Sequence, residues 1–145
     1  MTVLDAYAVI AYLADEAAAD DIEPLLEADS MPRLSAVNLA EVVDQLVRLR
    51  GMSFDDVLDG LLLLAASGLE VADADLEIGS TAGLLRARHY NRRDGDLSLA
   101  DCYAVATAAV LEHPLATSDP AIAAVCRYEE IELIPLPDTA GRPPR

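Results

Sequence analysis

Short apolar stretches, each handed within a residue or two to a helix-forming stretch, recur along the chain and constrain the fold more than any other feature. Thr2-Val3-Leu4 reads as a strand and Ala6–Leu13 as a helix that is apolar almost all round. A second helix spans about 17–28, disturbed by Pro24. Arg33-Leu34-Ser35 is a second strand, leading into a helix over 37–50 in which Val37, Ala40, Leu46 and Val47 keep helical periodicity. Gly51 ends that helix. Ser53 caps the next one, which stops at Gly68 before a strand Leu69-Glu70-Val71. An amphipathic helix covers 75–90 and a charged loop 91–96; Ser98 then caps a helix running to about Glu112. Leu115-Ala116 is a fourth strand, Asp119-Pro120 opens another helix, and 131–136 is the last strand.

Strands separated by helices predict a central parallel sheet covered on both faces, a three-layer α/β/α sandwich. The stretch 104–111 carries no charge, as expected of a helix lying between layers. With 145 residues and no repeat or linker, the chain is one domain over 1–136, followed by a loose Pro- and Gly-rich tail, 137–145.

Charge narrows the function. The net charge is −16, and all ten basic side chains are Arg. Such a surface argues against tight nonspecific phosphate binding, which needs a basic footprint. It suits a metal-binding protein, one with a basic protein partner, or simply a soluble one. Cys102 and Cys126 form no CxxC and have no His at zinc-ligand spacing, so both read as reduced core residues of a cytoplasmic protein. Asp5 interrupts the N-terminus before any basic region, so no export signal is expected, and the apolar run 61–66 is too short to span a bilayer.

In parallel α/β folds ligands bind beyond the carboxyl ends of the strands. Four acids fall there. Asp5 directly follows the first strand, Glu41 is early in the helix after the second, Asp101 lies in the first turn of the apolar helix, and Asp119 follows the Leu115 strand. Each is also readable as a helix cap. Asn38-Leu39-Ala40-Glu41 and Ser98-Leu99-Ala100-Asp101 have capping-box spacing, and Asp5 and Asp119-Pro120 suit N-termini. If the four converge, their repulsion raises at least one carboxyl pKa, and a hard divalent cation such as Mg²⁺ relieves it. Such a cation activates water and stabilises the leaving oxygen of a phosphodiester.

Val3-Leu4-Asp5-Ala6, Ser35-Ala36-Val37-Asn38-Leu39-Ala40-Glu41-Val42, Leu97-Ser98-Leu99-Ala100-Asp101 and Thr117-Ser118-Asp119 resemble, in order, the four acidic motifs of PIN domains, most closely those of VapC-like toxins. The resemblance runs from Val3 to about Leu136. It implies the α/β/α fold, Mg²⁺- or Mn²⁺-dependent endoribonuclease activity, RNA as substrate and a cognate antitoxin; an acidic pocket beside apolar helices calls for a basic segment on that antitoxin, and a homodimer is expected. It also implies that Asp5, Glu41, Asp101 and Asp119 hold metal, with Thr117 as a polar support. Two departures stand out. Tyr7 occupies a position where the family often has a small hydroxyl or amide residue, and basic residues near the C-terminus are sparse. The alternative is a PIN-like interaction module that binds a partner and cuts little.

Other residues carry less. Asp94 and Asp96 read as a solvated loop, His89 as a helix-end residue and His113 as a turn residue. Arg86, Arg88, Arg92 and Arg93 form the only basic cluster, either an RNA contact or an ordinary solvated face. A phosphorylated receiver domain needs a Lys that this chain lacks, and an Asp-x-Asp phosphatase fails at Tyr7. No GxGxxG, GxxxxGK[ST] or GxSxG is present.

Overall fold

Alternation of side chains across five short strands sorts the apolar residues into two cores. The strands are β1 (Thr2–Leu4), β2 (Pro32–Ser35), β3 (Glu70–Ala72), β4 (Leu115–Thr117) and β5 (Leu133–Pro135). In this computed structural model, which describes residues 1–16, 18–27, 31–90 and 97–144, they form one parallel sheet in the order β3-β2-β1-β4-β5. Val3 lies opposite Leu115, and Leu115 opposite Leu133; all three face one core. Leu4 lies opposite Leu34 and Ala116, which with Ile134 face the other.

Helices α1 (Ala6–Leu13), α2 (Ala19–Leu26), α3 (Ala36–Asp44) and α4 (Phe54–Ala66) cover the Leu4 face. Helices α5 (Leu76–His89), α6 (Leu99–Leu111) and α7 (Pro120–Tyr128) cover the Val3 face. The chain is therefore the three-layer α/β/α sandwich expected. Six residues of α6, from Cys102 to Ala108, are buried, which explains its lack of charge. Among the described residues no helix is long and apolar enough to cross a membrane.

Some boundaries differ from the sequence pattern. The last strand is confined to Leu133–Pro135, and α2 to Ala19–Leu26 with Pro24 inside it. Helix α3 starts at Ala36, because Ser35 rather than Asn38 caps it: Ser35 Oγ accepts the Asn38 N–H at 3.0 Å. Its continuation over 45–49 is a π-helical turn, closed by Arg50 N–H donating to Gln45 O at 3.2 Å. Gly51 then ends the helix at φ 69°, a conformation costly for a residue with a Cβ.

The strand order reverses between β1 and β4. After β1 the chain builds outward through β2 and β3; β4 and β5 lie on the other side. The crevice over the carboxyl ends of β1 and β4 is thus the topological switch point, where this class of sheet binds ligands.

Leu34 is fully buried in the centre of one core, whereas Leu63 on α4 is 70% exposed. Leu34→Ala should cost about 2–5 kcal/mol in urea denaturation, and Leu63→Ala less than about 0.5 kcal/mol. Equal costs would contradict the placement of Leu34 in the core and of Leu63 on the surface.

Candidate active site

A cavity of about 360 Å³ opens at the switch point, and Asp5, Glu41, Asp101 and Asp119 all line it. Each acid comes from a different element. The structure also shows what holds each one.

Asp5 ends β1 and caps α1. Its Oδ1 accepts the Ala8 N–H at 2.9 Å, and its Oδ2 accepts the Thr117 hydroxyl hydrogen bond. At 3% exposure it is the only buried residue of the four. Thr117, fully buried at the end of β4, also accepts the Asp119 N–H at 3.0 Å. One hydroxyl therefore ties Asp5 to Asp119. Asp119 caps α7, its Oδ1 accepting from Ala121 N at 2.6 Å and Ile122 N at 3.2 Å. Pro120 follows at the first helical position, where its missing N–H costs nothing.

Asp101 completes a capping box with Ser98: Asp101 N–H donates to Ser98 Oγ at 3.0 Å, and Ser98 N–H to Asp101 Oδ2 at 2.5 Å. Glu41 is the one acid that caps nothing. It stands in the second turn of α3, and Gln45 Nε2 donates to its Oε1 at 2.9 Å. Asn38, 1% exposed, sets the spacing between these two acids. Its amide Nδ2 donates to Ala100 O at 3.2 Å, joining the first turn of α3 to that of α6. The sequence showed Asn38 only as half of a capping pair; its bond across to α6 has no local signature.

Burial pushes the Asp5 carboxyl up to about 7, against the hydrogen bonds from Thr117 and Ala8, with the charges of Asp119 and Asp101 adding to the rise. Burial also raises Asp101, with Asp119 contributing, and raises Glu41, with Asp101 contributing. Desolvation thus outweighs the mutual repulsion expected from the sequence, although both act in the same direction. Among the described residues no three His, Cys, Asp or Glu side chains are gathered tightly enough to ligate one ion together. The four acids instead surround open space.

Tyr7 lines the same cavity and donates its hydroxyl to Pro137 O at 3.1 Å, bringing the start of the C-terminal tail beside α1. Past that contact Asp138 accepts the Ala140 and Arg142 N–H groups at 2.8 and 2.9 Å, forming a turn. Arg50 also reaches the cavity and pairs with Glu16; the sequence pattern gave neither residue prominence.

The remaining candidates lie elsewhere. Arg86 donates to Leu97 O and stacks its guanidinium 4.4 Å from the centre of the Tyr90 ring. Arg88 and His89 meet Glu129, at 3.8 and 2.6 Å. Asp94, Asp96, Arg92 and Arg93 fall outside the described residues. His113 Nδ1 lies 3.0 Å from Glu112 O, on the wall of a separate cavity. Cys102 and Cys126 are free and buried, and burial pushes both thiols up, Cys126 to about 11, which disfavours the thiolate a nucleophile needs.

The sequence profile of the PIN domain matches residues 2–134. Among curated proteins, none matches the sequence. Solved structures do match in fold. VapBC2 from Rickettsia felis, bound to a promoter DNA fragment, is 16% identical with a TM-score of 0.67, over 92% of this chain and 96% of that one. FitAcB from Neisseria gonorrhoeae is 21% identical with a TM-score of 0.63, again over 92% and 96%. VapC20 from Mycobacterium tuberculosis, described as a sarcin–ricin loop cleaving toxin, is 14% identical with a TM-score of 0.63, over 79% of this chain and 87% of that one. At these identities the likeness establishes the fold.

The raised Asp5 pKa has a defined consequence for stability. A carboxyl raised above its unfolded value contributes stability that is present below that value and lost as pH rises through the folded one. Without metal, the protein should therefore lose stability between about pH 4 and pH 7. Asp5→Asn, which keeps an acceptor for Ala8 N–H, should flatten that slope and melt roughly 5 °C higher at pH 8. Thermal melts in EDTA from pH 4 to pH 8 provide the check; parallel curves for the two proteins would refute the shifted carboxyl.

Proposed function

The chain belongs to the PIN domain family, and on that premise we propose that it is a Mg²⁺- or Mn²⁺-dependent endoribonuclease, the toxin of a toxin–antitoxin pair. The activity would reside in residues 1–136, with 137–145 appended as a tail, in a cytoplasmic protein. The observation that carries this reading is the convergence of Asp5, Glu41, Asp101 and Asp119, from four elements, on one cavity at the switch point. The neighbours add weight, since VapC20 is described as a sarcin–ricin loop cleaving toxin and a further structure of the same fold is a toxin–antitoxin complex from Klebsiella pneumoniae.

The donor set fits a hard cation. All four groups are oxygen donors, and Mg²⁺ keeps several waters while taking only one or two carboxylates directly. Widely set acids around open space suit that demand better than a closed cage would. A cation bound there would supply a water activated for attack and stabilisation of the leaving oxygen.

The protein's own residues set the geometry. Thr117 holds the Asp5 carboxylate in place and orients Asp119, while the Ser98 box and the Asn38 bridge fix Asp101 against Glu41. Three of the acids accept backbone N–H groups at helix starts, so their rotamers are set before any ligand arrives. Asp119 makes both bonds to helix N–H groups through Oδ1, which makes Oδ2 the oxygen to offer a cation.

An acidic cavity beside apolar helices also defines the inhibitor. It should receive an antitoxin segment with Arg or Lys next to hydrophobic anchors, and the toxin is proposed to act as a homodimer within that complex.

Cleavage of a single-stranded RNA should require Mg²⁺ or Mn²⁺ and stop with EDTA. Asp5→Asn or Asp101→Asn should reduce it by at least about 10²-fold with the fold intact by circular dichroism. Full activity in EDTA would exclude this mechanism and leave the interaction-module alternative or another chemistry. Antitoxin binding should weaken with salt and with combined neutralisation of Asp5, Glu41, Asp101 and Asp119. Calorimetric titration that is indifferent to both would rule out inhibition through the acidic cavity.

A further inference from the structure

A cationic side chain at the wall of an acidic cavity favours a phosphodiester there, and the described residues lining this one include a single such side chain, Arg50. Its placement follows from the π-helical turn. In an α-helix the residue stacked one turn above Gln45 would be Leu49. Here the bond from Arg50 N–H to Gln45 O, at 3.2 Å, puts Arg50 there instead. Gln45 in turn holds Glu41. The inserted residue therefore brings a guanidinium onto the face that carries two cavity groups, and Gly51 turns the chain away directly afterwards. Such π turns occur disproportionately at functional sites.

The Arg50 partner is Glu16, just beyond α1. The two are unequally placed. The Glu16 side chain is only 11% exposed and its Oε2 is buried with no hydrogen-bond partner among the described residues, whereas the Arg50 side chain is 48% exposed. Glu16 Oε1 takes one Nη2 contact from a group with five donors. A pair serving stability alone would satisfy its buried carboxylate first. The contact steadies the guanidinium at the cavity wall and, among the described residues, engages one of its five donors.

We propose that Arg50 is the phosphate-binding residue of the site, its guanidinium held in the cavity wall by Glu16 and donating to the nonbridging oxygens of an RNA phosphate. This rests on the ribonuclease reading of the cavity. Guanidinium matches phosphate geometry with paired N–H donors, which an ammonium cannot do. Arg50 would then supply affinity without sequence preference, since a phosphate carries no base identity.

Removing Arg50 alone leaves Glu16 buried and unpaired, so the informative comparison is between Glu16→Gln and the double variant Glu16→Gln/Arg50→Gln. Both are assayed for cleavage of single-stranded RNA oligonucleotides in Mn²⁺ across a KCl series. The double variant should show KM raised about tenfold or more, with kcat changed less than about threefold, equally on oligonucleotides of different sequence. The slope of log(1/KM) against log[KCl] should become shallower by about 0.7, the value for one lost single-strand phosphate contact. Arg48→Gln, which removes an exposed partner of Asp44 on the same segment, should match the wild type in both KM and slope. A double variant with the KM and salt slope of Glu16→Gln would overturn the assignment of Arg50 while the ribonuclease reading stands. A wild type that cleaves no RNA in either metal would overturn both.

Discussion

The carboxylate of Asp5 is the group on which the arrangement turns. A charge that deep at the end of the central strand is expensive unless it is partnered or neutralised. Its two donors come from opposite directions: Ala8 N–H from the helix it caps, and the Thr117 hydroxyl from the neighbouring strand. The second depends on sheet register. Leu4 pairs with Ala116, and Asp5 N–H continues the ladder to Ala116 O, so the next residues, Asp5 and Thr117, fall side by side. A slip of one residue would turn Thr117 to the other face and leave Asp5 a single donor. Packing the two cores and building the site are therefore one constraint.

Helix capping and site formation looked like rival roles for the acids, but the geometry shows that they are compatible. Asp5 and Asp119 cap α1 and α7, and Asp101 closes the capping box begun by Ser98 on α6, with all three acids lining the same crevice. In a parallel sheet covered by helices, the helices that directly follow β1 and β4 begin at the carboxyl edge, which places Asp5 and Asp119 there by topology; α6 follows α5 instead, and the Asn38 bond to Ala100 O ties its start to that of α3. The positive ends of those helices moderate the charges they hold. Glu41 has no such compensation and relies on Gln45, with Asn38 fixing its helix to α6.

Much of this was legible in the chain because it is local. The order of strands and helices, the Ser98 box and the caps at Asp5 and Asp119 depend on residues within three positions of one another. The start of α3 was read one residue late, and the capping spacing of Asn38 with Glu41 competes with that of Ser35; strand pairing up to Ser35 decides for Ser35. The π turn escaped because Gln45–Leu49 keeps ordinary helical periodicity, and one inserted residue leaves no mark on it. Glu16 and Arg50 are 34 positions apart, and no pattern links them. Asn38 and Ala100 are separated by 62, and Tyr7 and Pro137 by 130. What sequence periodicity conveys is which face a residue occupies, not which distant residue meets it.

Net charge then takes on a different meaning. At −16 the whole chain repels a polyanion, yet a charge beyond about 8 Å is largely screened at physiological salt. What an approaching phosphate meets is local: four carboxylates, one of them held partly protonated near neutral pH by burial, and one guanidinium above Gln45. On the proposed reading, cations bound by the acids would offset the negative charge of the cavity floor, and Arg50 would add positive charge at its rim. The distant acids on the outer surface would oppose only loose, nonspecific association. On that reading, an acidic exterior around a site neutralised by metal would select against binding RNA anywhere but in the cavity, and it would leave affinity dependent on metal in a way that a basic surface would not.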